Sequence, residues 1–331
     1  FLPGPAALLA LPAALPALYV QRMADALAAL PFAALSTQSV YLKLWLALVY
    51  ALLLLYLLGR GEKKRPLVPL GLGTAGLCAA LVFQAASHTA GRLTVSVLDV
   101  GQGLSVALLS GGRAALVDCG GTGADNPGDT AADYFQSLGL SRIDLVVLTH
   151  YHEDHAGGIP ELLERLEVGL LVLPDVEEED PLRREITALA EEKGIETLFL
   201  AEDADVTFGE SALRIYAPLG SGGANEEGLS VLCTAGDFDG LITGDMNDTV
   251  EKRLIKYGSL PDLELLVAGH HGSKYATSEE LLLATTPELA VISVGYNTYG
   301  HPAPETLERL AAAGCAIYRT DWSGTVTITA K

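Results

Sequence analysis

The chain has 331 residues, half of them hydrophobic, and a formal charge of −20 at pH 7. That length suffices for two or three domains with a large core, while the acidity excludes a surface that grips nucleic acid mainly through lysine and arginine. The four cysteines (Cys78, Cys119, Cys233, Cys315) show no metal spacing and one lies in a predicted membrane span, so they are not read as a disulfide framework.

The charge is spread unevenly. Residues 1–91 hold six basic and two acidic residues; the other 15 basic and 39 acidic residues give 92–331 a formal charge of −24. The break near Gly91 predicts a boundary between a membrane part, 1–91, and an acidic soluble part, 92–331. Phe1 is neither a starter methionine nor the head of a basic n-region, so the start is not an intact signal peptide. The apolar stretch 1–20 reads as the remnant of a span from a longer protein. Ala24 to Leu35 predicts an amphipathic helix at the interface. The apolar runs at 42–58 and 66–86 predict transmembrane helices, the second with Gly71, Gly73 and Gly76 as in packed membrane helices. Between them, 60–65 is the densest basic cluster. The positive-inside rule places it in the cytoplasm and so puts the acidic domain on the outer face.

The soluble part opens with a strand over Leu93–Leu98. Asp99 and the Gly101-Gln102-Gly103 turn lead into a second strand, Leu104–Leu109. A third, Ala114–Val117, ends in Asp118, a carboxylate placed to orient a ligand histidine from behind. After a helix over Ala131–Leu138, the β-branched run Ile143–Leu148 predicts a buried strand that delivers Thr149-His150-Tyr151-His152-Glu153-Asp154-His155-Ala156-Gly157-Gly158. His150 and His152, two apart in extended backbone, project to one side and can share an ion. Asp154 and His155 follow the change of direction and can face a second ion. Imidazoles with a carboxylate suit zinc, manganese or iron.

Two helix–strand units follow over 159–200, then strands at 205–208 and 213–216. The glycine-rich loop 220–228, carrying Asn225, precedes strands at Leu229–Cys233 and Phe238–Ile242. Asp245, after Thr243-Gly244, can place its carboxylate between two metals. A strand over Leu263–Ala268 delivers Gly269-His270-His271-Gly272-Ser273-Lys274. Adjacent histidines in extended backbone point opposite ways, so one is expected to bind metal: His270 is favoured, with His271 facing the substrate. A strand over Leu289–Val294 then leads to Asn297, Tyr299 and His301, before a helix over Pro304–Ala313 and two closing strands.

The 150–155 histidine–aspartate pattern resembles the signature of the metallo-β-lactamase fold superfamily. The order of Asp99-Val100-Gly101-Gln102-Gly103, Thr243-Gly244-Asp245, His270-His271-Gly272-Ser273 and Ser293-Val294-Gly295 through His301-Pro302 is similar to the carboxy-terminal domain of the ComEC family, the channel proteins of natural transformation. The resemblance covers Leu93 to about Thr329. It implies an α/β, four-layered αβ/βα fold carrying two divalent ions, manganese or zinc, on an extracytoplasmic nuclease. That nuclease would degrade the non-transforming DNA strand, in company with the membrane, the rest of the channel protein and other competence proteins. Two departures are visible: Leu104 stands where the family has aspartate, and no histidine lies between His155 and His270.

On this reading His150, His152 and Asp245 hold one ion; Asp154, His155, Asp245 and one of the His270–His271 pair hold the other. A water between ions roughly 3.5–4 Å apart becomes a nucleophile at neutral pH. Asp154 is expected to steer its proton, and His301 to serve the leaving oxygen or a phosphate. Asn225, His271, Ser273, Lys274 and Asn297 are expected at the substrate, and Asp99 with Asp118 behind the ligands. The alternatives are a membrane-tethered hydrolase of a small ester, lactone or thioester, and a catalytically silent domain that binds or gates DNA.

Overall fold

The computed structural model describes residues 14, 16–24, 39–59, 66–88, 93–123 and 125–330. The expectations for 1–13, for most of the interfacial helix at 24–35, for the basic loop at 60–65 and for the boundary near Gly91 lie outside those residues. Residues 16–24 are helical.

Two long helices follow, α1 (Val40–Leu58) and α2 (Leu67–His88). Ser39 caps the first by accepting the Leu42 amide at 3.4 Å. Both are long and apolar enough to cross a membrane, and only 6% and 11% of their apolar windows are buried. A core helix of a soluble protein would bury most of that surface; lipid removes the need. Their packing turns on small residues. A methyl at Gly76 would stand 2.9 Å from Leu48, and the Trp45 indole donates to the Gly73 carbonyl at 2.8 Å. Gly71, by contrast, faces open space.

By its contacts the chain divides into Phe1–Leu77 and Cys78–Lys331. The second unit contains two seven-stranded sheets. The first sheet runs β14-β1-β2-β3-β4-β5-β6, with β1 (Leu93–Val97), β2 (Val106–Ser110), β3 (Arg113–Val117), β4 (Arg142–Val147), β5 (Glu167–Pro174), β6 (Glu196–Leu200) and β14 (Val326–Ala330). The second runs β13-β12-β11-β10-β9-β8-β7, with β7 (Ala204–Phe208), β8 (Ser211–Tyr216), β9 (Ser230–Ala235), β10 (Phe238–Ile242), β11 (Leu265–Val267), β12 (Leu289–Ile292) and β13 (Ala316–Arg319).

Connection length decides strand direction. The two-residue turn Gly111-Gly112, with φ of 54° and 79°, joins β2 and β3 antiparallel. Helical crossovers make β3 to β6 parallel, and longer connections make β10 to β13 parallel. Along β4, Leu145 and Val147 enter the core between the sheets, with Val231, Ile242 and Val267 across from them. Val146 turns the other way, towards Phe135, Ile159 and Leu162 under the outer helices. On the far side Leu241 and Leu266 pack with Val250, Leu254, Leu281 and Leu310. These three apolar layers bind a helix–sheet–sheet–helix stack, the expected four-layered αβ/βα architecture.

The differences are local. Helices over Asp248–Gly258 and Glu279–Thr285 are not foreseen by the sequence pattern, and the helix expected from Ala131 starts at Pro127, where Asn126 caps it. β11 and β12 are shorter than expected, because the chain turns away to build the loops that carry His271 and Ser293.

Candidate metal centre

Every candidate side chain follows the carboxyl end of a strand: Asp118 after β3, the 150–155 segment, which turns into a short helix at Glu153–Ala156, after β4, Asp245 after β10 and His270-His271 after β11. The first sheet's loops are joined to one another through main chain. Cys119 N donates to His155 O at 2.7 Å, Gly158 N to Cys119 O at 2.7 Å, and Leu104 N to Asp154 O at 2.9 Å. A methyl at Gly120 would lie 2.2 Å from His155 N, so only glycine fits there. Leu104, the departure from the family pattern, is buried and supports the ligand loop through its amide.

Ligand atoms of Asp154, His155, Asp245 and His271 all lie within 4.8 Å of one another. His155 Nε2 stands 2.9 Å from Asp245 Oδ1, and His271 Nε2 stands 3.3 Å from Asp154 Oδ2 and 3.8 Å from Asp245 Oδ1. His155 Nε2 and His271 Nε2 are 3.3 Å apart. The His150 ring is 4.1 Å from that of His155 by centroid and 4.8 Å from that of the exposed His152. Two buried atoms here have no hydrogen-bond partner, His150 Nε2 and Asp245 Oδ1, the latter close to His155 but without hydrogen-bond geometry. Buried polar atoms are normally satisfied. Unpaired atoms converging with a second carboxylate and two more imidazoles fit divalent cations of the zinc, manganese or iron kind.

Of the histidine pair, His271 and not the favoured His270 joins this cluster. The expectation assumed extended backbone; both residues instead adopt left-handed conformations, with φ of 50° and 53°. His271 is buried, and its Nδ1 is 3.0 Å from the Ser293 carbonyl. A carbonyl only accepts, so Nδ1 carries a proton and Nε2 is the nitrogen that faces the cluster. His270 is partly exposed, 3.5 Å from Asp245 Oδ2. Its ring lies 5.5 Å from that of His301.

Asp118 stands behind His155. Its Oδ1 accepts the Thr149 amide at 2.6 Å, and its Oδ2 accepts the Thr149 hydroxyl and faces His155 Nδ1, both at 2.7 Å. Asp99 does not share that position: it is exposed, and its Oδ1 accepts from Gly101 N in its own turn. Asn297 is likewise taken up by its own loop. Its Oδ1 accepts from the amides of Tyr299, Gly300 and His301, and its Nδ2 donates to the carbonyls of Gly295 and His301. Ser273 is buried, with Oγ accepting from Tyr275 N. Lys274 is exposed, its ammonium 4.9 Å from the Tyr275 ring centre. Asn225 keeps a buried, unpartnered Oδ1, as His301 does its Nδ1.

Charge explains the protonation states. Burial alone would lower the His155 pKa, but Asp245 and Asp118 on its two nitrogens raise it well above the usual histidine value. Burial alone would raise Asp245; the facing His155 and His271 hold it well below the usual carboxylate range. Asp154, against the pull of burial, is brought down to about 2 by His271 and His155. Burial, then the neighbouring His155, pushes His150 well down and keeps it neutral. His301 is lowered by burial and by His270.

Two functional supports have no sequence signal. Glu251, buried on the 248–258 helix, accepts the amides of Thr277 and Ser278 at 2.5 and 2.8 Å. Arg309 donates to the carbonyls of Thr277 and Ala276 at 3.0 and 2.8 Å. Together they grip the loop that carries His271.

A fold of two facing mixed sheets with this buried carboxylate–histidine cluster defines a divalent-metal protein of metallohydrolase architecture. The chain belongs to the Metallo-beta-lactamase superfamily, whose family model matches residues 98–296. It is 31% identical over 281 residues to Competence protein ComA of Neisseria gonorrhoeae, covering 84% of this chain and 38% of that protein. It is 26% identical over 274 residues to ComE operon protein 3 of Bacillus subtilis (strain 168), covering 76% and 35%. These similarities agree with the ComEC-family resemblance, and the chain spans just over a third of the length of these relatives. Among solved structures, the metallo-beta-lactamase fold protein YhfI from Bacillus subtilis aligns with a TM-score of 0.51 at 14% identity, covering 71% of this chain and 99% of that one.

Proposed function

We propose that the protein is a metal-dependent hydrolase of phosphodiesters, acting as a DNase in a competence channel and degrading the strand that is not imported. The observation that carries the hydrolase reading is the convergence of Asp154, His155, Asp245 and His271 within 4.8 Å. The likeness to competence proteins supports DNA as substrate and a longer, multi-pass membrane protein as the setting, with this domain on the outer face.

Asp154, His155, Asp245 and His271, with His150 and His152 beside them, would hold the divalent ions, which would supply an acidified water and positive charge against the phosphate. The chain's own residues do the rest. Asp118 fixes the His155 ring, and Ser293 fixes that of His271. Asp154, held low by His271 and His155, is ionised near neutral pH and is placed to orient the water and steer its proton. His301, neutral at pH 7, offers an N–H to a phosphate or leaving oxygen.

The formal charge of −24 over 92–331 favours a second reading, a hydrolase of a small ester, lactone or thioester. Labelled single- and double-stranded DNA, titrated with manganese and with zinc, separates the two. Cleavage that needs metal and is lost in Asp154→Ala is the expected result. A metal-loaded protein that leaves DNA intact across a wide range of salt would shift the reading to the small substrate.

A further inference from the structure

Three large rings stand in water beside the cluster: Tyr296 is 93% exposed, Tyr299 76% and Trp322 78%. Rings of that size normally seek cover. They occupy two adjacent loops at the carboxyl edge of the second sheet. Residues 293–303 follow β12, and the short helix Thr320–Ser323 follows its parallel neighbour β13. The loops are fastened together, because the Thr320 hydroxyl accepts from Val294 N and donates to Val294 O, both at 2.9 Å. They are fastened to the metal centre as well, since the carbonyl of Ser293 holds His271. From Tyr299 the rings lead inward, 6.0 Å to His301 and then 5.5 Å to His270.

The charges around these rings do not suit a phosphate grip. The Arg319 guanidinium lies 3.9 Å from the Trp322 ring centre and is paired with Asp321 at 2.6 Å. Elsewhere, Glu177 lies close enough to Asp180, Glu227 and His152 to interact with all three. There, burial and then Asp180 raise the Glu177 carboxyl, with His152 opposing. A polyanion meets carboxylates near His152, while the three rings offer exposed aromatic surface.

We propose that Tyr296, Tyr299 and Trp322 form a stacking platform for the bases of a single nucleic-acid strand, holding it at the metal centre by ring contact in place of phosphate neutralisation. This deepens the nuclease reading and rests on it for the identity of the strand. Stacking tolerates any base, because each has a π-face, and it needs bases that are not already paired. The platform thus selects single strands, and its affinity falls only weakly with salt, since few counterions are released.

The test uses the full chain in detergent, without added metal, and measures anisotropy of a labelled oligothymidylate and of an abasic strand of equal length at two salt concentrations. The native protein is expected to prefer the base-bearing strand. Tyr296→Leu, Tyr299→Leu and Trp322→Leu, all at exposed positions, are each expected to weaken that preference roughly tenfold while leaving abasic binding and metal content unchanged. Equal native affinity for the two strands, or variants that bind like the native protein, would overturn the platform. Metal-dependent cleavage by the same proteins keeps the readings apart. Native cleavage with unaltered variants removes the platform and leaves the nuclease; variant-sensitive binding without any cleavage leaves the platform and removes the nuclease.

Discussion

The two sheets contribute to the metal centre in different ways. On the first, Asp154, His155 and Gly158 lie on a segment whose backbone is bonded to the neighbouring loops at Leu104 and Cys119, and Asp118 sits directly behind the imidazole. On the second, His271 stands in a loop with three left-handed non-glycine residues, His270, His271 and Thr277. Such conformations persist only where surroundings over-determine them, and Glu251 and Arg309, reaching in from distant helices, do so here. One half is pre-organised by local pairing, the other by long-range clamping. A ligand's place in sequence therefore says little about what holds it.

The sharpest way to break the comparison is at the histidine pair. His271→Ala removes the buried imidazole proposed as a ligand and is expected to lower metal affinity at least about 100-fold, beyond what loss of a supporting residue costs. His270→Ala is expected to keep the metal; calorimetric titration of both variants measures the difference. On the first sheet, Asp118→Asn keeps the shape but loses the charge that orients His155, so metal affinity should fall roughly 10- to 100-fold. His271→Ala and Asp118→Asn both loading like the native protein would show that neither side matters.

Acid probes the same contrast. His155 has its pKa raised well above the usual value, so in the metal-free protein it is protonated at pH 7, whereas His150 is pushed down and neutral. An incoming cation must displace the His155 proton. Affinity is expected to rise about tenfold per pH unit up to that raised pKa, with release of a proton visible as buffer-dependent heat. The smallest effect is expected at the clamp. Glu251→Ala leaves the Thr277 and Ser278 amides without their acceptor, costing ~1–3 kcal/mol in urea unfolding with only a few-fold loss of metal affinity.

Much of the centre is legible in the order of residues alone. The 150–155 pattern, Asp118 at a strand end and Asp245 after a glycine all depend on short-range geometry, strand then turn, which alternation of apolar residues reveals. The choice of His271 over His270 is not legible, because nothing in two adjacent histidines announces positive φ. Asn297 misleads because a side chain that organises its own loop has the same polar chemistry as one that meets a substrate. Asp99 misleads for the same reason. Glu251 and Arg309 leave no trace because their partners lie 26 and 32 residues away in sequence.

The missing side chain at Gly120 has a kinetic consequence. With its Cα packed against the His155 amide, and with Leu104, Cys119 and Gly158 bonded through main chain around it, the floor of the site is peptide on peptide. Opening it requires the loops of β3 and β4 to part together, so these loop amides belong to the slow, cooperative class of motions usually reserved for a sheet interior.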